Sequence, residues 1–353
     1  MTSLYGVSVF FMFLIAITVK GLRSAGIAIT ALPVIFVFMV VLFGMRTIDT
    51  GTDTYAYWTW FESLDDKWTT RDFEPLFTII GRTISVLTDS PSVFFSIVTI
   101  LTAVFLAKAY AINNKITVVP LAIVMSVSFI SGVDLIVNGI RNGLGLAIAT
   151  FALLRYTTNG RLLVFIIYVS MASMIHASCV AFFVAPLVMK YLNTRYLKLT
   201  FYAYIAIFIA ENFKLLDFVF IKLSDAGLGS HIISRVLAFK YQESDMFNGW
   251  IKYYFFVISL IPYALYKFKY YVNSNIATTH YMMLIPYAMI FSSPSSYRFS
   301  YMSFYLMVFI LAQAVLYTNS RIKRISVYTM IIVMIFITYT TKTSLSYQSI
   351  LFT

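Results

Sequence analysis

Apolar runs of about 20 residues recur along the whole chain, and short polar segments separate them. A run of this length, wound as an α-helix, crosses the ~30 Å hydrocarbon layer of a bilayer. A spanning β-barrel would instead show ~10-residue segments of alternating hydrophobicity. The pattern predicts an all-α, polytopic transmembrane bundle of about 11–13 membrane helices, in one integral-membrane domain over 1–353. The predicted helices lie at about 4–19, 26–43, 92–110, 117–133, 136–154, 162–187, 199–217, 251–266, 279–291, 299–317 and 325–341.

Basic connectors join the helices on one side of the predicted bundle. They hold 14 of the 26 Lys and Arg residues and none of the 14 Asp and Glu residues. Because Lys and Arg concentrate in short cytoplasmic loops, we assign this side to the cytoplasm. The connector residues are Lys20, Arg23, Lys108, Lys115, Arg155, Arg161, Lys190, Arg195, Lys198, Lys267, Lys269, Arg321, Lys323 and Arg324.

This orientation predicts two interrupted segments. Residues 76–90 begin and end on the outer side, which predicts a re-entrant or interfacial helix. Residues 162–187 leave the cytoplasm and return to it, which predicts two half-helices that turn near His176 on the outer side. Non-helical backbone at membrane depth is stable only inside protein or beside a water-filled cavity. Both segments therefore predict a cavity that opens outward.

Two polar segments lie on the predicted outer, periplasmic side, at about 44–91 and 218–250. The first part of the former, 44–75, holds seven of the 14 acidic residues. We expect short helices in both segments, lying over the membrane.

Composition narrows the functional classes. The chain is 60% hydrophobic and only 11% charged, whereas soluble proteins carry about 25% charged residues, which excludes a soluble enzyme. The net charge of +12 indicates membrane orientation rather than nucleic-acid binding. The one cysteine, Cys179, rules out a disulfide framework or a zinc cluster. No Walker A, metal-ligand or G-x-S-x-G spacing occurs, so we expect no metal, no cofactor and a pre-activated substrate delivered by the membrane.

Arg141 is the clearest candidate for chemistry within the membrane helices. Ionisable residues inside spans are costly and are functional candidates by default. Arg141 lies in the first turns of a helix that starts on the predicted outer side, between Gly139 and Gly143. Its planar fork of donors matches phosphate oxygens, and the glycines allow a ligand or backbone to approach closely. The alternative is a structural bridge from Arg141 to Asp134.

His176 lies at the predicted turn between two half-helices, on the same side as Arg141. A neutral imidazole there could accept the proton of a substrate hydroxyl. The alternative is a satisfied core histidine, which is the usual role of a lone His in an apolar run. We interpret His280 as an interfacial residue.

Three further arginines lie on the predicted outer side. Arg46 ends the second helix, Arg235 lies in the second outer segment, and Arg298 lies where an outer-side helix begins. With Arg141 they would surround one cavity and bind an anionic ligand such as a lipid pyrophosphate. The alternative is that each is an interface anchor, with its stem in lipid and its guanidinium in water.

The most distinctive polar motif covers residues 46–55. Asp49 and Asp53 are four residues apart and would share one face of a helix, where they could orient sugar hydroxyls or act as a base. Aromatic residues that could stack on sugar rings follow, although aromatic belts at membrane interfaces look the same. The sugar-binding candidates are Tyr55, Trp58 and Glu74.

These motifs resemble the signatures of EpsG-like proteins, which are Wzy-type polymerases of polysaccharide repeat units. The resemblance covers about residues 40–190, and Asn142 stands where the family usually has glutamine. The first signature consists of Arg46, Asp49 to Tyr55, and Glu74-Pro75-Leu76-Phe77. The second consists of Asn138-Gly139-Ile140-Arg141, Arg155-Tyr156 and His176-Ala177-Ser178.

The resemblance implies a glycosyltransferase of the bacterial inner membrane whose active site faces the periplasm. Such enzymes polymerise O-antigen or similar surface polysaccharide, by moving a growing glycan from undecaprenyl pyrophosphate onto a new lipid-linked repeat unit. The implied partners are the undecaprenyl-pyrophosphate-linked donor and acceptor, membrane lipid and a chain-length regulator protein. His176 or Asp53 would act as the base, and Arg141 with Arg298 or Arg235 would stabilise the departing pyrophosphate.

Three other functions use similar sequence features. An O-antigen ligase, which transfers finished glycan to a lipid-A core, would need the same arginines and a base. A flippase or transporter of lipid-linked oligosaccharide would carry inverted repeats and gates on both sides, and the polar motifs here lie on one side. A membrane acyltransferase would need His and Asp facing the cytoplasm, and the basic connectors contain neither.

Overall fold

The computed structural model describes residues 2–65, 73–112, 114–191, 196–225, 250–291, 293 and 296–342. Throughout these residues the chain forms helices and no strand. The all-α prediction is therefore confirmed.

The helices follow the apolar runs closely. The first half contains α1 (Thr2–Leu22), α2 (Ala25–Met39, extended by a π-helical turn over Val40–Gly44), α3 (Thr54–Glu62), α4 (Pro75–Ser85), α5 (Pro91–Ala111), α6 (Val119–Ser128, preceded by a 3-10 turn over Ile116–Val118), α7 (Ile130–Val137), α8 (Ile140–Asn159), α9 (Leu162–Ile175) and α10 (Ala185–Tyr191, preceded by a 3-10 helix over Ala177–Val184). The second half contains α11 (Tyr196–Asn212), α12 (Leu215–Asp225), α13 (Trp250–Ser259), α14 (Ile261–Lys267), α15 (Ser274–Met289), α16 (Tyr297–Tyr317) and α17 (Arg321–Lys342).

Several of these helices are suited to a membrane. Ala25–Gly44, Pro91–Ala111 and Tyr297–Tyr317 are each long and apolar enough to cross a bilayer, and the bent pair Ile116–Ser128 with Ile130–Val137 would add a fourth span. In contrast, α4 has 11 residues and is about 16 Å long at 1.5 Å per residue, too short to cross. The chain is thus a polytopic helical membrane protein that also contains short and broken helices.

The break predicted near His176 is confirmed. Helix α9 ends at Ile175, His176 is extended with φ −153° and ψ 122°, and a 3-10 helix starts at Ala177. The break places the backbone and side chain of His176 outside both helices.

The breaks between 116 and 159 lie at different positions from those predicted. We predicted helices at 117–133 and 136–154, but α6 ends at Ser128, Phe129 is extended, and α7 leaves at an angle of 77°. A second break at Asn138 and Gly139 precedes α8. Every residue of α7 is buried and most are apolar, so its hydropathy gives no sign that the helix axis has turned.

The chain divides into two compact units, Met1–Phe183 with Leu311–Thr353, and Val184–Ile310. In the first unit, α8 packs against both α5 and α9. The single domain expected over 1–353 remains a prediction.

In the second unit, α11 packs against α15, α14 and α13, and aromatic rings fill these contacts. Phe201 stacks on Tyr263 with 3.7 Å between ring centroids, and Tyr204 and Ser259 share a hydrogen bond of 2.8 Å. The interfacial position predicted for His280 is wrong, because its side chain is buried and its ring nitrogens lie 3.3–3.4 Å from the carbonyl oxygens of Ser303 and Ser259.

Glycines allow close packing around α8. A Cβ on Gly143 would lie 2.4 Å from the carbonyl oxygen of Leu135 in α7, which is rigid backbone. A Cβ on Gly145 would lie 2.9 Å from Cys179 Sγ and 3.2 Å from the carbonyl oxygen of Ala172. The glycines thus bring α7, α9 and the segment after His176 against α8.

We predict that Gly143→Ala destabilises the protein, because the added methyl group forces α7 and α8 apart. Overpacking of this kind costs about 1–3 kcal/mol, and it should lower the thermal unfolding temperature of the purified protein. Gly21→Ala is the matched control, since a Cβ there meets nothing within 4 Å. Equal unfolding temperatures for the two variants would contradict the close approach of α7 and α8.

Candidate functional site

Arg141 forms the centre of a polar cluster in the first compact unit. It pairs with the Glu74 carboxylate through Nη1, and its Nε donates a hydrogen bond to Tyr57 Oη at 3.2 Å. The two charged side chains keep 20% and 22% of their surface exposed. Within the part of the chain that the structure describes, Nη2 of Arg141 makes no hydrogen bond. Nη2 is therefore the guanidinium nitrogen that these contacts leave unengaged.

Aromatic rings hold the guanidinium in place. Its Cζ lies 4.1 Å from the ring centroid of Phe73 and 5.7 Å from that of Tyr57, within the range of cation–π attraction. Tyr57 is buried on α3, and this burial raises the pKa of its phenol. Tyr57 therefore stays neutral and serves Arg141 as a hydrogen-bond acceptor.

Glu74 connects three segments of the chain. It directly precedes Pro75, the first residue of α4, and pairs with Arg141 at the start of α8. Its Oε1 also accepts a hydrogen bond of 3.4 Å from the backbone N–H of Ala177, directly after the break at His176. The sugar-binding role predicted for Glu74 remains a prediction, and the contacts show a carboxylate that is engaged with Arg141.

His176 belongs to a second chain of hydrogen bonds. Its Nδ1 lies 2.7 Å from Ser178 Oγ, and Ser178 Oγ donates to Asn142 Oδ1 at 3.1 Å. The backbone N–H of Ser178 also approaches Nδ1, at the longer distance of 3.4 Å. Burial is the largest effect on the imidazole and lowers the pKa of His176, against the opposing effect of Glu74. The ring is therefore neutral at pH 7.

Local chain geometry holds the loop before α3 against this cluster. Gly51 has φ +79°, in the left-handed region that favours glycine. A Cβ on Gly51 would lie 2.3 Å from Asn138 Oδ1. That same oxygen accepts a hydrogen bond of 2.8 Å from the backbone N–H of Thr52, and Asn138 Nδ2 donates to Asp134 Oδ1 at 2.6 Å. Asn138 thus ties the loop before α3 to the break before α8.

Arg141 does not pair with Asp134, the structural alternative considered from the sequence. Its ion pair is with Glu74, 67 residues away in the chain. Asp134 instead accepts from Asn138. The alternative bridge is therefore wrong.

Arg46 does not line an open cavity. Its side chain has no exposed surface, and its Nη1 donates to the carbonyl oxygens of Phe43 at 2.7 Å and Ile136 at 3.3 Å. Its Nε donates to Thr54 Oγ1 at 3.0 Å, and its Cζ lies 3.9 Å from the ring centroid of Phe95. These contacts fasten the end of α2 to α3 and α7, and they leave no surface for the pyrophosphate predicted to bind there.

The other candidates of the first outer segment lie on or before α3. Asp49 is exposed in a turn, and Asp53 is half-buried at the N-cap of α3, so the two do not share a helix face. Tyr55 is 64% exposed, and Trp58 donates from Nε1 to Glu62 Oε1 at 2.7 Å. Tyr55 is thus the aromatic ring best placed to meet a ligand.

The remaining arginines are not part of the described cluster. Arg298 is exposed in the first turn of α16, in the second compact unit. Arg235 lies outside the described residues.

Three residues of the cluster were not assigned a role from the sequence: Phe73, Asn142 and Ser178. All of them lie within or next to the quoted motifs, so the motifs marked the right segments. Their pairing could not be read from spacing, because Ser178 and Asn142 are 36 residues apart. Phe73 had no distinguishing signal among the chain's 33 phenylalanines.

Comparison with known proteins gives one relationship. Neither the curated proteins nor the solved structures contain a match. The model of the EpsG family matches residues 29–352, and therefore covers both compact units and every residue of the cluster. This family is associated with glycosyltransferase-like polymerases. A match over nearly the whole chain shows that this protein belongs to the EpsG family.

Proposed function

We propose that this chain is a glycosyltransferase of the bacterial inner membrane that polymerises undecaprenyl-pyrophosphate-linked repeat units on the periplasmic side. One observation carries the proposal. A partly exposed arginine, held by Glu74 and Tyr57, lies beside a neutral histidine that Ser178 orients. Glu74 links the two, because its carboxylate pairs with Arg141 and accepts the backbone N–H of Ala177, the residue after His176. Glycosyl transfer from a pyrophosphate requires such a pair: a cation that stabilises the leaving group and a neutral base that accepts the proton.

The reaction has a simple balance of bonds. The acceptor hydroxyl oxygen forms a bond to the anomeric carbon of the donor, and that carbon's bond to the pyrophosphate oxygen breaks. The bonding electrons leave with the pyrophosphate, and the hydroxyl proton passes to a base. The donor carries its own leaving group, so the step needs a base and stabilisation of the growing negative charge.

Arg141 is suited to the departing pyrophosphate. Glu74 and Tyr57 occupy Nη1 and Nε, which fixes the plane of the guanidinium and directs Nη2 to the remaining open side. A donor fixed before the reaction stabilises transition-state charge without the cost of reorganisation. Glu74 is half-buried beside it and offsets part of the cost of desolvating the arginine.

His176 is suited to accept the proton. Ser178 Oγ donates its hydrogen to Asn142 Oδ1, so the imidazole tautomer with its proton on Nδ1 can donate to the Ser178 Oγ lone pair over 2.7 Å, and we propose this tautomer as the active one. This arrangement leaves the Nε2 lone pair available, and Nε2 makes no hydrogen bond within the described residues. Ser178 and Asn142 thus act as positioning residues for the base. Asp53, half-buried at the start of α3, is the alternative base.

Deletion of the gene in its host, with surface glycolipid resolved on a gel, tests the function. The proposal predicts loss of the polymer ladder while a single repeat unit remains attached to its acceptor, because export and ligation still work. Core lipid with nothing attached, together with long polymer on the carrier lipid, would identify a ligase instead. An unchanged ladder would overturn both functions.

Arg141→Lys should reduce polymer formation by about 10²–10³-fold, the usual effect of removing one donor to transition-state charge. A lysine ammonium cannot hold Glu74, Tyr57 and a phosphate in one plane. Chain length is measured on the gel and protein level by immunoblot. Arg161→Lys, an exposed arginine at the start of α9, is the control and should behave as wild type. Wild-type polymer in Arg141→Lys cells would remove Arg141 from the mechanism.

His176→Ala should lower turnover by about 10²–10⁴-fold, as expected for loss of a general base. The pH profile gives an independent readout. Burial lowers the pKa of His176, so the neutral, proton-accepting form persists below the ordinary value of about 6.5. Wild-type activity should therefore stay constant as pH falls through 6.5 and decline only at more acidic pH.

Residual turnover in His176→Ala that keeps this acidic decline would assign the base to Asp53 or Asp49. Ser178→Ala distinguishes positioning from structure. It should lower the rate and move the acidic decline, because Nδ1 loses its partner, while the protein level stays at that of wild type.

A further inference from the structure

A cavity separate from the Arg141 cluster lies in the first compact unit, at the end of the helices that the basic connectors predict to be cytoplasmic. Its volume is about 590 Å³, within the range of roughly 300–1,000 Å³ that is usual for small-molecule sites. It is bounded by the α1–α2 connection, the 3-10 turn before α6 and the α16–α17 connection. It contains none of the residues of the Arg141 cluster.

Four cations converge on this cavity: Lys20, Arg23, Lys115 and Arg324. None of them forms an ion pair with a carboxylate of the described residues. Lys20 donates instead to Tyr328 Oη at 2.5 Å and to the carbonyl oxygen of Val315 at 3.3 Å, which ties α1 to α16 and α17. Like charges at close range repel one another, so an anion that enters the cavity relieves this repulsion.

Two polar atoms at the cavity are buried without a partner among the described residues. Thr318 is 6% exposed and lines the cavity, and its Oγ1 makes no hydrogen bond. Arg324 Nε, on another lining residue, is also buried and unbonded. Buried polar atoms normally have partners. A hydroxyl and a guanidinium N–H can both donate, so a group that forms a hydrogen bond with each of them is an acceptor.

The backbone adds positive potential to the same place. Ala25, the first residue of α2, and Ile116, the first residue of the turn that leads into α6, both line the cavity. Helix N-termini carry a partial positive charge and unbonded N–H groups that attract anions. Arg23 precedes α2 with φ +54°, in the left-handed region that a non-glycine residue adopts at a cost.

We propose that this cavity binds a phosphate group. Four uncompensated cations, two helix N-termini and two unbonded donors together favour a multiply charged oxyanion over a neutral ligand. The phosphate can come from the head group of an anionic phospholipid or from a phosphate free in solution. The site is independent of the glycosyltransferase proposal, because no residue is shared.

The test uses the full chain in nanodiscs and follows its thermal unfolding. In one arm, inorganic phosphate is titrated into nanodiscs of phosphatidylcholine, with chloride at equal ionic strength as the reference. In the other arm, phosphate is omitted and phosphatidylglycerol replaces part of the phosphatidylcholine. A ligand that binds only the folded state raises the unfolding temperature.

Two sets of variants separate the cavity from general charge effects. Arg23→Gln/Lys115→Gln removes two cations of the cavity, and Lys108→Gln/Arg161→Gln removes two exposed cations that do not line it. We expect the cavity variant to bind roughly 25-fold more weakly, about fivefold for each cation removed, and the control variant to bind as wild type.

Thr318→Val keeps the shape of the side chain and removes the unbonded hydroxyl. Without ligand its unfolding temperature should equal or exceed that of wild type, because no hydrogen bond is lost. With ligand its stabilisation should be smaller than that of wild type. This combination distinguishes a lost ligand contact from a damaged fold.

Stabilisation by phosphate in the first arm identifies a soluble phosphate, and stabilisation by phosphatidylglycerol alone identifies a lipid head group. Both results support the site only if the cavity variant loses the effect and the control variant keeps it. No stabilisation in either arm, or equal stabilisation of the two double variants, would overturn the proposal. Neither result depends on polymer formation.

Discussion

The ion pair between Arg141 and Glu74 holds the candidate site together. The two residues are 67 positions apart, and the pair joins the start of α4 to the start of α8. The Glu74 carboxylate also accepts the N–H of Ala177, one of the backbone groups that a broken helix leaves without an intrahelical partner. A single carboxylate therefore pairs with a guanidinium and accepts a hydrogen bond from a backbone N–H at a helix break. Both are features that a membrane protein tolerates only where something compensates for them.

The packing of α8 explains why these groups meet. Gly143 and Gly145 have no side chain, so α7 and the segment after His176 approach α8 to within contact of its backbone. Arg141 and Asn142 precede these glycines by one turn or less, and each reaches a partner on a neighbouring segment. Aromatic rings pack around the Arg141 guanidinium, and a fifth of the arginine side chain stays exposed.

Much of the fold could be predicted from the sequence, because helix position follows hydropathy. The break at His176 was predictable for a different reason. Basic connectors precede and follow residues 162–187, so this segment has to turn back within the membrane, which requires an interrupted helix. The bend at Phe129 was not predictable, because α7 is buried throughout and mostly apolar. The partners of a residue were harder to predict than its position in a helix. Asp134 is nearer to Arg141 in sequence than Glu74 is, and the residue types do not indicate which carboxylate the fold brings close to Arg141. Arg46 was misassigned because a buried arginine bonded to carbonyl oxygens has the same sequence context as an exposed one.

The most direct test of this account is elongation by the purified protein, reconstituted in liposomes with undecaprenyl-pyrophosphate-linked repeat units as both donor and acceptor. Products are separated by the number of repeat units, and release of undecaprenyl pyrophosphate is followed in the same samples. The account predicts longer glycans, with one carrier pyrophosphate released for each repeat unit joined and without added nucleotide. Binding of the lipid-linked units without elongation or carrier release, by protein that is folded, would contradict it.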